Sequence, residues 1–195
     1  MFFVSDSVYL VRHGQSEWNV LRLTQGQTRH PRLTELGREQ AGSAADRIAA
    51  DLERSGRGVD RIVTSDLVRA VQTAEIIAAR LGGALRYDVR LREQDLGTLE
   101  GCDYDQTWAA AEEMDWSDPT VPVAGGESSM DVYERIGSVL DEVDPADVTV
   151  LVSHGDAIRA AVAYLEGVKP NAAAWVDVVN GAVARIGGGI TWLGQ

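Results

Sequence analysis

The stretch Leu10-Val11-Arg12-His13-Gly14-Gln15-Ser16-Glu17-Trp18-Asn19 decides how this chain reads. Val8, Leu10 and Val11 lead into a basic pair, a glycine and small polar residues. A short β-branched run that stops at polar turn residues predicts a buried strand. The loop after it presents Arg12 and His13 together. A neutral imidazole beside a fixed cation suits attack on phosphorus, because the cation holds the charge that moves onto the phosphoryl oxygens.

Two further runs, at 61–64 and 148–153, have the same character. Each of the three is followed by a helical pattern. Thr34 reads as an N-cap, and Leu36, Gln40, Ala44, Ile48 and Leu52 then recur at helical spacing. The next helix is expected to start at Ser65 or Asp66, with Leu67, Ala70, Ala74, Ile77 and Leu81 as its stripe and Gly82-Gly83 as its end. Others are expected over 129–143 and 156–166. In the tail, valines 176, 178 and 179, then Val183 and Ile186, then Ile190, Trp192 and Leu193 predict short strands, with a hairpin at Gly187-Gly188-Gly189. Strands alternating with helices predict an α/β three-layer sandwich, a mostly parallel central sheet flanked by helices.

A length of 195 residues suits one domain over 1–195. Residues 108–126, with Pro119, Pro122 and Gly125-Gly126, read as a loop carrying one short helix. Residues 102–128 are therefore expected to form a lid inserted in the domain. No apolar stretch reaches the length of a membrane span, and Met1-Phe2-Phe3-Val4 lacks a basic leader, so a cytoplasmic protein away from membranes is expected. Cys102 is the single cysteine, reads as a small, partly buried residue, and agrees with a reducing compartment. The formal charge of −12 argues against nucleic acid as partner. It also repels anions until salt screens it beyond about 8 Å. An anion site must then be a local concentration of donors.

Ligands bind at the carboxyl ends of strands in open α/β sheets. Three such ends carry unusual residues: Arg12-His13-Gly14; Thr64-Ser65-Asp66 with Arg69 one turn into the next helix; and Ser153-His154-Gly155-Asp156. Two of the three histidines lie directly after a strand and before a glycine. These pieces suit phosphoryl transfer, where catalysis is mostly positioning and charge stabilisation. Arg12 and Arg69 offer planar forks for phosphate oxygens, and helix N-termini aim N–H groups at the same place. His13 as nucleophile needs a neutral attacking nitrogen, whereas His154, donating to an equatorial oxygen, works best protonated. His30, between Arg29 and Pro31, reads as a polar loop residue. An acid for the leaving oxygen lies among Glu93, Asp95 and Glu100, and the chemistry does not choose between them. No closely spaced His/Cys pair points to a metal, and no G-x-S-x-G elbow supports a serine triad at Ser153-His154.

In order along nearly the whole chain, these residues resemble the histidine phosphatase superfamily, in its phosphoglycerate-mutase-like branch. The R-H-G-x-S-x-x-N signature is present as Arg12, His13, Gly14, Ser16 and Asn19. The later motifs are Thr64 to Ala74, Leu91-Arg92-Glu93 with Gly97 and Glu100-Gly101, Gly126-Glu127-Ser128, and Val152-Ser153-His154-Gly155. The resemblance implies a phosphohistidine on His13, a pocket completed by Arg12, Arg69 and His154, and Glu93 as proton donor. It further implies substrate contacts from Asn19, Ser16, Gln25, Gly26 and Gly155, with no metal and no cofactor.

Within that branch, mutases are longer, and the extra length supplies basic residues that hold the substrate carboxylate. Here the stretch after Gly101 is acidic, with no Lys or Arg before Arg135. Gln94 and Leu96 stand where mutases carry an arginine and a tyrosine, and Asp156 where they carry an asparagine. A phosphatase acting on a small phosphorylated metabolite is therefore expected. A phosphoglycerate mutase and a non-catalytic phosphate-binding scaffold are the alternatives. Arg22, Arg32 and Arg159 are candidates for a second anionic group. Trp108 and Trp116 either pack in the lid or face an apolar or sugar substrate. The apolar tail strand offers an edge to a second copy, which leaves a homodimer open.

Overall fold

The computed structural model describes residues 8–194, so the opening Met1-Phe2-Phe3-Val4 lies outside the described residues. Six strands form one sheet: β1 (Val8–Arg12), β2 (Arg61–Thr64), β3 (Ala84–Tyr87), β4 (Thr149–Ser153), β5 (Val183–Ile186) and β6 (Ile190–Trp192). Their order is β3-β2-β4-β1-β5-β6. The first four are parallel, and β5 and β6 run antiparallel at one edge. Helices cover both faces, which makes the expected three-layer α/β sandwich.

The strand side chains divide by parity. Val8 and Leu10 of β1 and Leu151 of β4 pack against α5 (Ser129–Asp141) and α6 (Gly155–Glu166). Tyr9, Val11, Val150 and Val152 face α2 (Glu35–Glu53) and α3 (Val68–Leu81). Both faces are covered, so β1 and β4 read as continuous apolar runs rather than alternating ones. Fully buried Ile48 and Ile77 each contribute about 1.5–3 kcal/mol by leaving water.

Local signals set the boundaries. Thr34 caps α2 by accepting from the Gly37 N–H at 3.0 Å. Ser128 and Asp131 form a capping box on α5. Gly167 ends α6 at φ +70°. The expected glycine hairpin joins β5 to β6.

Four expectations need correction. The second helix begins at Val68, not at Ser65 or Asp66, because the Ser65 hydroxyl takes the Leu67 N–H and holds a turn there. Arg69 is thus its second residue. The stripe of α2 is Gly37, Ala41, Ala44, Ala45, Ile48 and Leu52, with Leu36 exposed. The first turn packs backbone-close on residues 14 and 15, which turns Leu36 to solvent. Residues 176–179 are not a strand; side chains of Arg159 and Arg12 take the carbonyls of Val176 and Val178. Strand β3 was not anticipated, since this half-exposed edge carries no β-branched residue.

In the stretch expected to be a lid, α4 (Tyr104–Glu112) is capped by Asp103 and followed by irregular chain. Residues 22–24 bond it at Cys102 and Tyr104. Among the described residues no helix is long and apolar enough to cross a membrane.

Candidate active site

The parallel register sets Arg12 opposite Ser153. The next residue on each strand is a histidine, so His13 and His154 meet at the carboxyl edge, ring centroids 5.1 Å apart and planes at 61°. Both are buried. His13 Nδ1 lies 2.7 Å from the Gly14 carbonyl oxygen. A carbonyl can only accept, so Nδ1 carries the proton and Nε2 keeps its lone pair. The loop behind is fixed through its backbone: the His13 carbonyl accepts from the Gly181 N–H and from Asn180 Nδ2, each at 3.2 Å. Gly14 is required by close approach, since a Cβ there would lie 2.1 Å from the Gly37 carbonyl oxygen.

Burial, then the charges of Arg69 and Arg12, hold the His13 pKa well below its ordinary 6.5. His13 is therefore neutral at physiological pH, as a nucleophile requires. The same causes, with His13 itself, depress His154. Its expected protonated form belongs to the step in which it donates to a phosphate oxygen; burial and two nearby arginines favour the neutral form of the free imidazole. Neither of its ring nitrogens has a partner among the described residues.

Arg69 is buried. Its two terminal nitrogens donate to the Thr28 and Gly26 carbonyls at 2.9 and 2.7 Å, and its Nε has no partner among the described residues. Burial and neighbouring Arg12 lower its pKa to about 10, so it stays cationic. Arg12 donates to the Val178 carbonyl and likewise keeps an unpartnered buried Nε. Two forks are thus held from behind by carbonyls.

Glu93 stands apart from the other two acids. Its Oε1 accepts from the N–H groups of Gln94, Asp156 and Ala157 at 3.0, 3.1 and 3.1 Å. Burial, then the Asp156 carboxylate, raises its pKa against the opposing pull of the Gln94 N–H, Arg12 and Arg69. Glu100 instead holds the loop at 27–28, accepting from the Gln27 N–H at 2.7 Å and from the Thr28 hydroxyl at 3.1 Å. Asp95 accepts from the Gly97 N–H at 2.8 Å. The free N–H groups at the start of α6, expected to face phosphate, are taken by Glu93.

A cleft of about 180 Å³ is lined by Arg12, His13, Asn19, Gln25, Gly26, Arg69 and Glu93, together with Leu96, Tyr104, Trp108 and Asp156, whereas His154 is fully buried against His13 and is not among its lining residues. Ser16 sits behind the cleft, fully buried, its single hydroxyl proton within reach of Gln25 Oε1 at 2.7 Å and Asn19 Oδ1 at 3.0 Å. Gly155 begins α6, and a Cβ on it would stand 3.6 Å from both Arg12 and Glu93. Asp66 turns away to pair with Arg92 at 2.6 Å. His30 packs edge-on against Trp18. Arg22 is exposed beside Asp105 at 3.5 Å. Exposed Arg32 does not line the cleft.

Sequence reasoning missed Arg135. It donates to the Arg92 and Glu93 carbonyls at 2.7 and 2.9 Å and pairs with Glu127 at 2.8 Å, so it fixes the backbone that carries Glu93. Asn180 was missed too. Neither bears a local signal, because each acts on carbonyls far away in the chain.

Two imidazoles, two arginine forks and a partly buried carboxyl thus meet at the carboxyl edge of the sheet in an α/β sandwich. A family model for the histidine phosphatase superfamily (branch 1) matches residues 8–189, and the chain belongs to that family. Among relatives, the probable phosphoglycerate mutase GpmB of Cronobacter sakazakii is 37% identical over 188 residues, covering 92% of this chain and 83% of its own. The Salmonella typhi protein of the same name is 35% identical with the same coverage. Among solved structures, mycobacterial glucosyl-3-phosphoglycerate phosphatase in complex with VO3 superposes with a TM-score of 0.78 at 33% identity, covering 96% of this chain and 97% of that one. A mutant phosphoserine phosphatase from Entamoeba histolytica in complex with phosphoserine shares the fold at a TM-score of 0.77 and 24% identity, covering 95% of this chain and 94% of its own.

Proposed function

We propose that the protein is a metal-independent phosphatase that hydrolyses a phosphomonoester of a small metabolite through a phosphohistidine on His13. Arg12 and Arg69 grip the phosphoryl oxygens. Bound phosphate brings negative charge beside His154, which takes up a proton and donates to an equatorial oxygen. His13 Nε2 attacks phosphorus as the bond to the leaving oxygen breaks, and the Glu93 carboxyl gives that oxygen its proton. Glu93, now a carboxylate, takes a proton from water while the water oxygen attacks phosphorus. The P–N bond breaks, its electron pair returns to Nε2, and phosphate leaves.

The observation that carries hydrolysis is the cation count. Among the described residues lining the cleft, Arg12 and Arg69 are the only cations. They suffice for one phosphoryl group and leave none for the carboxylate of a phosphoglycerate, while Leu96 and Asp156 also line the cleft. The mycobacterial phosphatase likeness supports the same reading. The names of the curated relatives favour a second one, phosphoglycerate mutase. Assays in EDTA separate them: p-nitrophenyl phosphate is hydrolysed, and release of phosphate from 3-phosphoglycerate outruns its isomerisation. Isomerisation faster than release overturns the phosphatase reading.

A further inference from the structure

Asp156 lines two cavities. Beyond it lies a second one, about 360 Å³, twice the volume of the phosphoryl cleft. Residues of α6, Ala160 and Ala163, line it together with Trp116, Trp175, Gln94 and Asn171. Trp116 and Trp175 are 54% and 73% exposed, so neither ring is core packing. The Trp116 N–H is spent on the Ala111 carbonyl at 2.8 Å, which leaves the ring itself as the contact surface.

The charges of this cavity cancel. Among its described lining residues, Arg159 is the only cation and Asp156 the only anion, and they are bonded at 2.7 Å. The Arg159 charge is already matched by Asp156 and its guanidinium is held on two sides. Its Nε donates to the Val176 carbonyl at 2.9 Å, and the Trp175 ring covers the guanidinium at 3.9 Å from the ring centre. Indole faces, amide groups and no net charge suit a ligand with apolar C–H faces and hydroxyl edges. They do not suit a carboxylate, which would meet Asp156.

We propose that this second cavity receives the alcohol part of the phosphomonoester, and that the Asp156–Arg159 pair selects uncharged, hydroxyl-bearing alcohols over those with a second anionic group. The proposal rests on the phosphomonoesterase reading. It makes Asp156 and Trp116 specificity residues.

Binding to the His13→Ala protein tests it without turnover. Glycerol 3-phosphate and 3-phosphoglycerate form a matched pair, differing by a hydroxymethyl group against a carboxylate. Calorimetry should show tighter binding of glycerol 3-phosphate. Adding Asp156→Asn removes the opposing charge and loosens Arg159, so the preference should fall roughly tenfold or more. Adding Trp116→Ala should weaken glucose 6-phosphate several-fold and leave inorganic phosphate unchanged, which also shows that the cleft is intact. No preference within the matched pair, a ratio unmoved by Asp156→Asn, or equal effects of Trp116→Ala on glucose 6-phosphate and inorganic phosphate overturns the proposal. Turnover of p-nitrophenyl phosphate with His13 in place judges the phosphatase reading separately.

Discussion

The carboxylate of Glu93 occupies the N-terminus of α6, accepting from the Asp156 and Ala157 N–H groups while Arg12 and Arg69 act on it from the cleft side. The helix start that adjoins His154 therefore orients the Glu93 carboxyl, and under the proposed phosphatase reading the phosphoryl group is left to side chains. Glu93 is partly buried and held by three N–H groups, and its pKa is raised by loss of solvent and by Asp156. One group can then donate a proton in the first step and accept one in the second.

Glu93→Gln should lose at least ~10²-fold in kcat against an alkyl phosphate, whose alkoxide needs the proton. The loss should be smaller for p-nitrophenyl phosphate, whose leaving group departs without help. Equal losses for both substrates would show that Glu93 is not the acid. A glutamine oxygen can accept the same three N–H bonds. The raised pKa means that the folded state holds its proton above the unfolded value of 4.5, so ionisation at higher pH costs stability. The variant should therefore melt no lower than the parent at neutral pH.

Phosphate binding should be coupled to proton uptake. His154 is neutral in the free protein, its pKa held below 6.5, and gains an anion as neighbour on binding. Calorimetry at pH 7 in buffers of different ionisation enthalpy should reveal the uptake, and His154→Gln should abolish the part due to this residue. Without ligand the sign reverses. Two histidines depressed in the folded state contribute stability above pH 6.5 that is lost as pH falls through and below that value. Replacing His154 by Gln should flatten the melting-temperature decline between pH 7 and 5.

Gly14→Ala should cost at least ~2 kcal/mol and most of the activity, because the new Cβ would strike the Gly37 backbone and must push the His13 loop or α2 aside. A thermal melt and a rate measured on the same preparation check both. A variant of parental stability and rate would mean that the two backbones do not meet so closely.

Much of this was legible beforehand for physical reasons. Arg12, His13 and His154 adjoin strands whose apolar runs are unambiguous, and a parallel register brings their ends together. Thr34, Ser128 and Gly167 carry capping chemistry that acts within a few residues. Contacts set by tertiary approach were not legible. Leu36 has the spacing of a core residue and is turned out only because Gly37 meets the Gly14 loop, and β3 is a four-residue edge with no β-branched residue. Glu93, Asp95 and Glu100 are equivalent in isolation. Only the approach of α6 to Glu93, and of the loop at 27–28 to Glu100, sets the proposed acid apart from the loop clamp. Arg135 belongs with these, since the carbonyls it holds near Glu93 are more than forty residues away in sequence, and only its pairing with Glu127 is local.

The phosphoenzyme tests the central claim most directly. Rapid mixing with a phosphomonoester, a quench that preserves acid-labile phosphate, and tandem mass spectrometry should place one phosphoryl group on His13, with none in His13→Ala and the activity of that variant down at least ~10³-fold. A parent protein that turns over substrate with no label on His13, or a His13→Ala protein that keeps most of its activity, would contradict the account.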